Sequence, residues 1–405
     1  VPYDAVDAAN WGRHLEFGYS KVPYLVGWVS RLGLILNGGH PGDFVYYFLH
    51  LSGTAVGVYG VWLLALRQLG EDRLALLAVL ALGLTTIVSV SIIPYNDNYL
   101  LIALWPYAFY FYFRACFDDR RYWILAGLFA GLAMMAKYST GVFLPFLLAY
   151  TVWDREARQN YRSWEIYVGL AAFCAVCLPN VFWLYNHNFA SIGWVTSEIT
   201  GRGILASLPA YLAAFYPAAL LYLIMAKVGR VSRTKILSKE QRAFVLVYVI
   251  PVVTLLAVFL LISSRRLTEW LEPFAVFYSI ALLIFIRPEL SAGAMKTFGK
   301  VFAGFVAFFV AGYVVAYTIF DAVSNDTRYL VPLSQEANAL WRKKTGLPLT
   351  YVGGEKRLRM VVVLCARLSA AHRSLGSVEI HPIQPGRRRC QNMETRGAFA
   401  GSPSL

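Results

Sequence analysis

From Phe44 to Phe320 the chain runs as apolar blocks of about twenty residues joined by short, mostly basic links. Twenty residues at a rise of 1.5 Å each match the hydrocarbon core of a bilayer, about 30 Å thick. Inside that core every backbone N–H and C=O must be satisfied within the protein, so such a chain folds as an all-α polytopic membrane protein. Hydrophobic residues make up 58% of it and charged ones 15%. That balance excludes a disordered chain, a disulfide scaffold and a soluble coiled coil. Ten spans are expected, over residues 44–66, 74–93, 98–114, 122–136, 139–153, 166–185, 206–226, 243–263, 270–287 and 301–320. The fourth and fifth are short and meet at Lys137-Tyr138, as helices do when they stop partway beside a polar cavity. Pro145, Pro179, Pro251 and Pro273 fall in or beside spans and are expected to bend them.

Orientation follows from the links. With residues 1–43 outside, the inner links hold 17 Lys and Arg and the outer ones hold four, namely Lys137, Arg202, Arg265 and Arg266. The positive-inside rule then places residues 1–43 and the C-terminal segment on the outer, periplasmic side of a bacterial inner membrane. The same rule accounts for the net charge of +14, which points to anionic lipid headgroups and not to nucleic acid.

Three regions are expected: an outer loop over 1–43, a bundle over 44–323 and a soluble outer segment over 324–405. The loop carries Asp4, Asp7, Arg13, His14, Glu16, Lys21 and Arg31 among aromatics, and its stretch from Val22 to Leu36 reads as an interfacial helix. A start at Val1-Pro2-Tyr3 without methionine reads as a processed or truncated N-terminus. In the outer segment a helix is expected near 333–345, followed by a strand at 349–352. From Glu355 onward the chain is basic, with Arg387-Arg388-Arg389, and reads either as a mobile tail or as an altered reading frame. Cys174 and Cys177 share a helix face and read as packing residues, and no metal spacing is present among the five cysteines.

In a bilayer protein the informative side chains are the ionisable ones at helix ends. On the outer side these are Asp4 and Asp7, Lys21, Asp97 within Asn96-Asp97-Asn98, Lys137, and the pair Arg265-Arg266. Asp4 and Asp7, three apart, face one way on a helix. They could act as a general base and its auxiliary, or hold a divalent metal; capping of a helix start is the plain alternative. The same alternative stands for Asp97. Lys137 between two apolar helices suits an anion or an interface, and Arg265-Arg266 a phosphate clamp or a snorkelling pair. His187 reads as a helix C-terminal residue. No nucleotide-binding loop, zinc motif or nucleophile elbow is found.

The acidic pair, followed by Gly18-Tyr19-Ser20-Lys21-Val22-Pro23-Tyr24-Leu25 and Trp28, resembles the first outer loop of the family 39-type glycosyltransferases. These are GT-C membrane enzymes related to protein O-mannosyltransferases, aminoarabinose transferases of lipid A and rhizobial lipid A galacturonosyltransferases. Asn96-Asp97-Asn98 with Trp105 is similar to a second motif of that family. So are Gly127 to Tyr138, Leu178-Pro179-Asn180 through Phe189, and Trp341 to Gly354, which extends the resemblance over residues 3–354. Two positions depart from it: Tyr24 stands where the family has the second proline of a Pro-Pro pair, and Val22 precedes Pro23.

The resemblance implies transfer of a sugar from a polyprenyl-phosphate donor to a lipid, glycan or protein acceptor on the outer face. Asp4 would be the acid/base. Asp7, Asp97 and Asn98 would be auxiliary or metal-site groups, and Lys21 and Lys137 donor-phosphate contacts. A divalent metal would be the cofactor if there is one, and no nucleotide cofactor is expected. Partners are the donor and membrane lipids. The competing readings are a transporter or flippase of lipid-linked sugars, a polysaccharide polymerase or ligase, and an inactive paralogue.

Overall fold

The computed structural model describes residues 3–38, 43–89, 95–199, 219–227, 231–233, 236–261, 267–318 and 325–347, with single positions between 209 and 216. Arg265, Arg266, about half of the expected span over 206–226, and the segment from Pro348 through the basic tail lie outside the described residues. Among the described residues the fold is helical, apart from a short antiparallel ribbon that pairs β1 (Val231–Arg233) with β2 (Ile286–Pro288).

Two short helices, α1 (Tyr3–Arg13) and α2 (Leu25–Leu36), precede α3 (Asp43–Leu69) and α4 (Asp72–Leu82). Next come the single turn α5 (Thr86–Ser89) and the helices α6 (Tyr99–Phe117), α7 (Tyr122–Ala136), α8 (Leu144–Trp153), α9 (Trp164–Asn186) and α10 (Ala190–Glu198). After them lie α11 (Lys239–Phe244), α12 (Ile250–Leu261), α13 (Leu267–Leu271), α14 (Tyr278–Phe285) and α15 (Ala292–Thr318). Among the described residues five helices are long and apolar enough to cross a membrane: Phe44–Leu69, Tyr99–Phe117, Trp164–Asn186, Lys239–Phe259 and Ala292–Val315. The chain is a multi-pass membrane protein.

Two expected spans are broken. The block from 74 leaves helix at Leu82. Thr85 turns its hydroxyl to the Leu82 carbonyl at 2.6 Å, and Ser89 does the same to Thr85, so side chains compete with the backbone ladder. The block over 270–287 runs as α13, a tight 3-10 turn (Glu272–Phe277) and α14, with Pro273 at the head of the turn, where its missing N–H is no loss. Pro145 likewise opens α8, while Pro179 sits inside α9. Between α11 and α12 the residues Val245–Val249 form one π-turn.

Without water as a driving force between helices, small residues set how closely they pack. Gly57 of α3 lies against the backbone of Ile102 in α6, where any β-carbon would collide. Gly127 of α7 meets the backbone of Gly169 in α9 in the same way. In the middle of the bundle Trp105, Phe109 and Phe113 of α6 interlock with Phe143, Phe244, Tyr248, Phe274 and Phe277, all at most 2% exposed. Their ring centroids are spaced 5.1 Å for Phe109–Phe143, Phe109–Phe277 and Trp105–Phe274, a preferred range for tilted and edge-on rings.

One end of the bundle is closed by charge. Arg67 at the end of α3 binds Asp118 at 2.7 Å and also Glu240 of α11, to which Gln68 donates at 3.1 Å. Lys239 next door holds Asp154 at 3.0 Å and Glu156 at 2.7 Å. A reciprocal cap between Ser238 and Gln241 starts α11 there. Asp118 follows the last residue of α6 and Asp97 stands two residues before its first, so this clasp and the region around Asp97 are separated by about 28 Å of helix.

The segment Ser324–Leu405 is a separate unit. Its described part is one helix, α16 (Asn325–Thr345), which begins earlier than the expected 333–345 and ends with Arg342, Lys343 and Lys344 in its last turn.

Candidate functional site

Asp4 lies in the first turn of α1 and Asp7 one turn on, so both carboxylates reach the same side of the helix. What they meet is Lys21. Its ammonium lies 3.1 Å from Asp4 and 3.8 Å from Asp7. The lysine is placed by a tight loop, in which the Tyr19 N–H donates to the Val22 carbonyl at 3.0 Å and Gly18 bridges Pro23. The Tyr19 ring stacks on Trp11 at 5.4 Å, with its hydroxyl 3.0 Å from the carbonyl oxygens of both Trp11 and His14. Burial pushes that phenol up to about 12. Across from it, Gly27 of α2 leaves the space the ring needs; a β-carbon there would overlap the Tyr19 side chain.

The second pair comes from the bundle. Lys137 ends α7 in an extended conformation, with φ −160° and ψ 137°, and a short 3-10 turn (Tyr138–Val142) follows. Thr140 holds this break by donating to the Ala133 carbonyl at 2.8 Å while accepting from the Trp105 indole at 2.9 Å. The backbone thus aims Lys137 at the start of α6, where it donates to Asp97 at 2.8 Å and to Asn98 Oδ1 at 2.5 Å. Asp97 makes this ion pair, while the Asn98 N–H donates to Asn96 Oδ1 at 2.9 Å.

The two pairs act on one another. Burial raises the carboxyl of Asp4 above its ordinary range, and the negative charge of Asp97 raises it further, against the opposing pull of Lys21 and Lys137. For Lys21 burial acts downward, but Asp4, Asp97 and Asp7 outweigh it and hold its affinity for a proton above normal. Three carboxylates and two ammonium groups therefore share one region. Lys21 lies between Asp4 and Asp7, where a divalent ion would need to bind, and among the described residues no group of three His, Cys, Asp or Glu is placed to hold a metal. The lysine neutralises these two carboxylates.

The structure brings Asp4, Asp7, Lys21, Asp97, Asn98 and Lys137 together, six of the side chains singled out from the sequence. Arg265 and Arg266 lie outside the described residues. His187 caps the C-terminus of α9 and stacks on Trp183 at 4.1 Å. Several supporting groups had no role assigned from the sequence, although Asn180 and Trp183 stand in one of the motif segments quoted above. Asn180 of α9 donates to the Phe17 carbonyl at 2.6 Å and accepts from Tyr138 at 3.0 Å, and Trp183 donates to Glu16 at 2.8 Å. Trp194 of α10 lies with its ring 5.7 Å from the Lys21 ammonium, and Ser191 donates to the Tyr19 carbonyl at 2.6 Å. An amide in an otherwise apolar helix was a readable signal for Asn180; nothing in the sequence marked Trp194.

Residues 21–183 match the family described as dolichyl-phosphate-mannose-protein mannosyltransferase. The lipopolysaccharide core galacturonosyltransferase RgtA of Rhizobium johnstonii is 24% identical over 385 residues, which is 88% of this chain and 75% of the relative. RgtB of the same organism is 22% identical over 213 residues, 49% of this chain and 40% of its own length. Among solved structures, ArnT from Cupriavidus metallidurans bound to undecaprenyl phosphate superposes with a TM-score of 0.55 at 16% identity, covering 90% of this chain and 69% of ArnT. Its apo state gives 0.52, again at 16% identity, over 90% and 68%.

Proposed function

We infer that this chain is a family 39-like GT-C glycosyltransferase and moves a sugar from a polyprenyl-phosphate donor to an acceptor hydroxyl or phosphate on the outer face of the inner membrane. The observation that carries this reading is the meeting of two lysine–carboxylate pairs, Lys21 with Asp4 and Lys137 with Asp97, at one end of the bundle. Such a site can bind a phosphate with its lysines and take a proton with a released carboxylate.

The chemistry balances without further reagents. The acceptor oxygen attacks the anomeric carbon, its proton passes to Asp4, and the bond from that carbon to the phosphate oxygen breaks. The electron pair leaves on the polyprenyl phosphate, whose added charge Lys21 and Lys137 stabilise. A single in-line displacement inverts the anomeric centre. Asp7, 1% exposed and 3.8 Å from Lys21, keeps the lysine charged and in place when Asp4 lets go. Polyprenyl phosphate as donor draws support from ArnT, which was crystallised with undecaprenyl phosphate. A galacturonosyl group is the first sugar to test, because RgtA and RgtB carry that activity in their names. The acceptor class follows the same lead, a lipopolysaccharide core or its lipid.

The test is transfer of labelled sugar by protein reconstituted in vesicles, with a panel of polyprenyl-phosphate sugars headed by galacturonic acid. Label appearing in acceptor with inverted configuration is expected. Label that only crosses the bilayer would overturn the enzyme reading. The outer placement rests on the basic asymmetry of the links; a cysteine at position 20 should be labelled from the outside only.

A further inference from the structure

The link between α8 and α9 joins two helices whose outward sides are apolar: Leu148 and Val152 on α8, Tyr167 and Leu170 on α9 are each at least half exposed. Those sides face acyl chains, so the link lies at headgroup depth. It begins and ends with bare indoles, Trp153 at 84% exposure and Trp164 at 63%, as expected of side chains seated in the interface. Between them stand Arg155, Arg158 and Arg162, all exposed.

The acidic residues of the link do not cancel these charges, because Lys239 of α11 engages both Asp154 and Glu156. The backbone is also fixed in advance. Asp154 accepts from the N–H groups of Glu156 and Ala157 at 3.0 and 2.9 Å, Tyr161 bonds Thr151 at 2.8 Å, and Tyr167 donates to the Tyr161 carbonyl at 2.9 Å. Three guanidinium groups on a rigid turn, flanked by two interfacial tryptophans, match the phosphates of anionic lipids in charge and in depth.

We propose that the 154–163 link is a binding site for anionic phospholipid headgroups, with Arg155, Arg158 and Arg162 holding the phosphates and Trp153 and Trp164 setting the depth. Lys239 keeps the site electropositive by occupying Asp154 and Glu156. The site lies at the clasp end of the bundle, away from Asp4 and Lys137, and does not depend on what the chain transfers.

The test is native mass spectrometry of the full chain in detergent, titrated with phosphatidylglycerol or with phosphatidylcholine of the same acyl chains. The unaltered chain should prefer phosphatidylglycerol, and the preference should fade as salt is raised. Each arginine near a charged lipid surface is worth about a factor of five, so the triple variant R155Q/R158Q/R162Q should lose at least about tenfold of it. Phosphatidylcholine binding should stay the same, as should the melting temperature. Arg-to-Lys replacement at the three positions should keep most of the preference. An R155Q/R158Q/R162Q chain that folds and still prefers phosphatidylglycerol overturns the proposal. So does a salt-independent preference in the unaltered chain, a readout that needs no variant to fold.

Discussion

Lys21 reaches back across seventeen residues to bind Asp4 at 3.1 Å, and the Asp97 carboxylate from the bundle bears on the same Asp4. Lys21 holds Asp4 in its charged form, whereas burial and Asp97 favour the neutral one. As the proposed base, Asp4 must be ionised to work. Transfer should therefore fall as pH drops through a value above 3.8, the ordinary carboxylate figure. Lys21, raised above 10.5, should give no alkaline limb below that pH. Asp4→Asn should cut turnover by at least about 100-fold with donor binding nearly unchanged. A variant with unaltered turnover would leave Asp4 a partner of Lys21 only and move the search to Asp97.

The same group affects stability with the opposite sense to most surface carboxylates. Because its folded value is raised, the folded state binds the proton more tightly, and its contribution is most favourable in acid and declines as pH rises through that value. Asp118 behaves the other way. Its hydrogen bond from Arg67 holds it below 3.8, so what it adds is present above that pH and is lost in stronger acid. A half-exposed group adds little. The difference in melting temperature from the unaltered chain, followed against pH, should have slopes of opposite sign for Asp4→Asn and Asp118→Asn in the acid range.

Lys137→Met removes the partner of an Asp97 that is only 4% exposed. Leaving a buried carboxylate unpaired costs about 3–5 kcal/mol, and donor affinity should fall as well. Asp97→Asn added to Lys137→Met should recover most of the stability without recovering donor binding. Recovery of both would reduce Lys137 to a structural counter-ion. Lys137→Arg should keep part of each.

Gly27→Ala is a one-carbon change with a directed result. The added carbon displaces the Tyr19 ring from its place against Trp11, and overpacking of this kind costs about 1–3 kcal/mol. The loop carrying Lys21 should loosen with it, so loss of transfer should exceed what the lower melting temperature explains. Tyr19→Leu in the Gly27→Ala background, which removes the clash, should restore the melt and test the assignment.

Arg67→Gln unties three helix ends at the clasp. The loss should be about 1–3 kcal/mol, since hydrogen bonds between charged groups are involved and the site is partly open to solvent. Transfer at a temperature well below the melt should be unaffected. A fall in turnover there would mean that the clasp end governs the site at the other end.

Apolar blocks with charges only at their ends made the helical bundle legible, and the same pattern marked Asp4, Asp7, Lys21, Asp97 and Lys137, because ionisable groups persist there only when paired or used. Which lysine meets which aspartate was not legible, since the partners lie seventeen and forty residues apart and are joined by packing, not by period. The bend at Pro273 was expected from its proline, but the span break at Thr85 was missed for a related reason. Hydropathy averages over hydroxyls that cap a carbonyl. Trp194 and Asn180 act through contacts with a loop distant in sequence, which composition cannot show.

The aromatic layer of Trp105, Phe109, Phe113, Phe143, Phe244, Tyr248, Phe274 and Phe277 lies between the two charged ends of α6. A layer of tightly packed rings offers protons and ions no chain of water to follow, and its low dielectric constant raises the energy of any charge within it. The bundle should therefore be electrically tight. Vesicles carrying the protein should hold a pH difference or a voltage as long as empty ones do, also under the conditions of the proposed transfer.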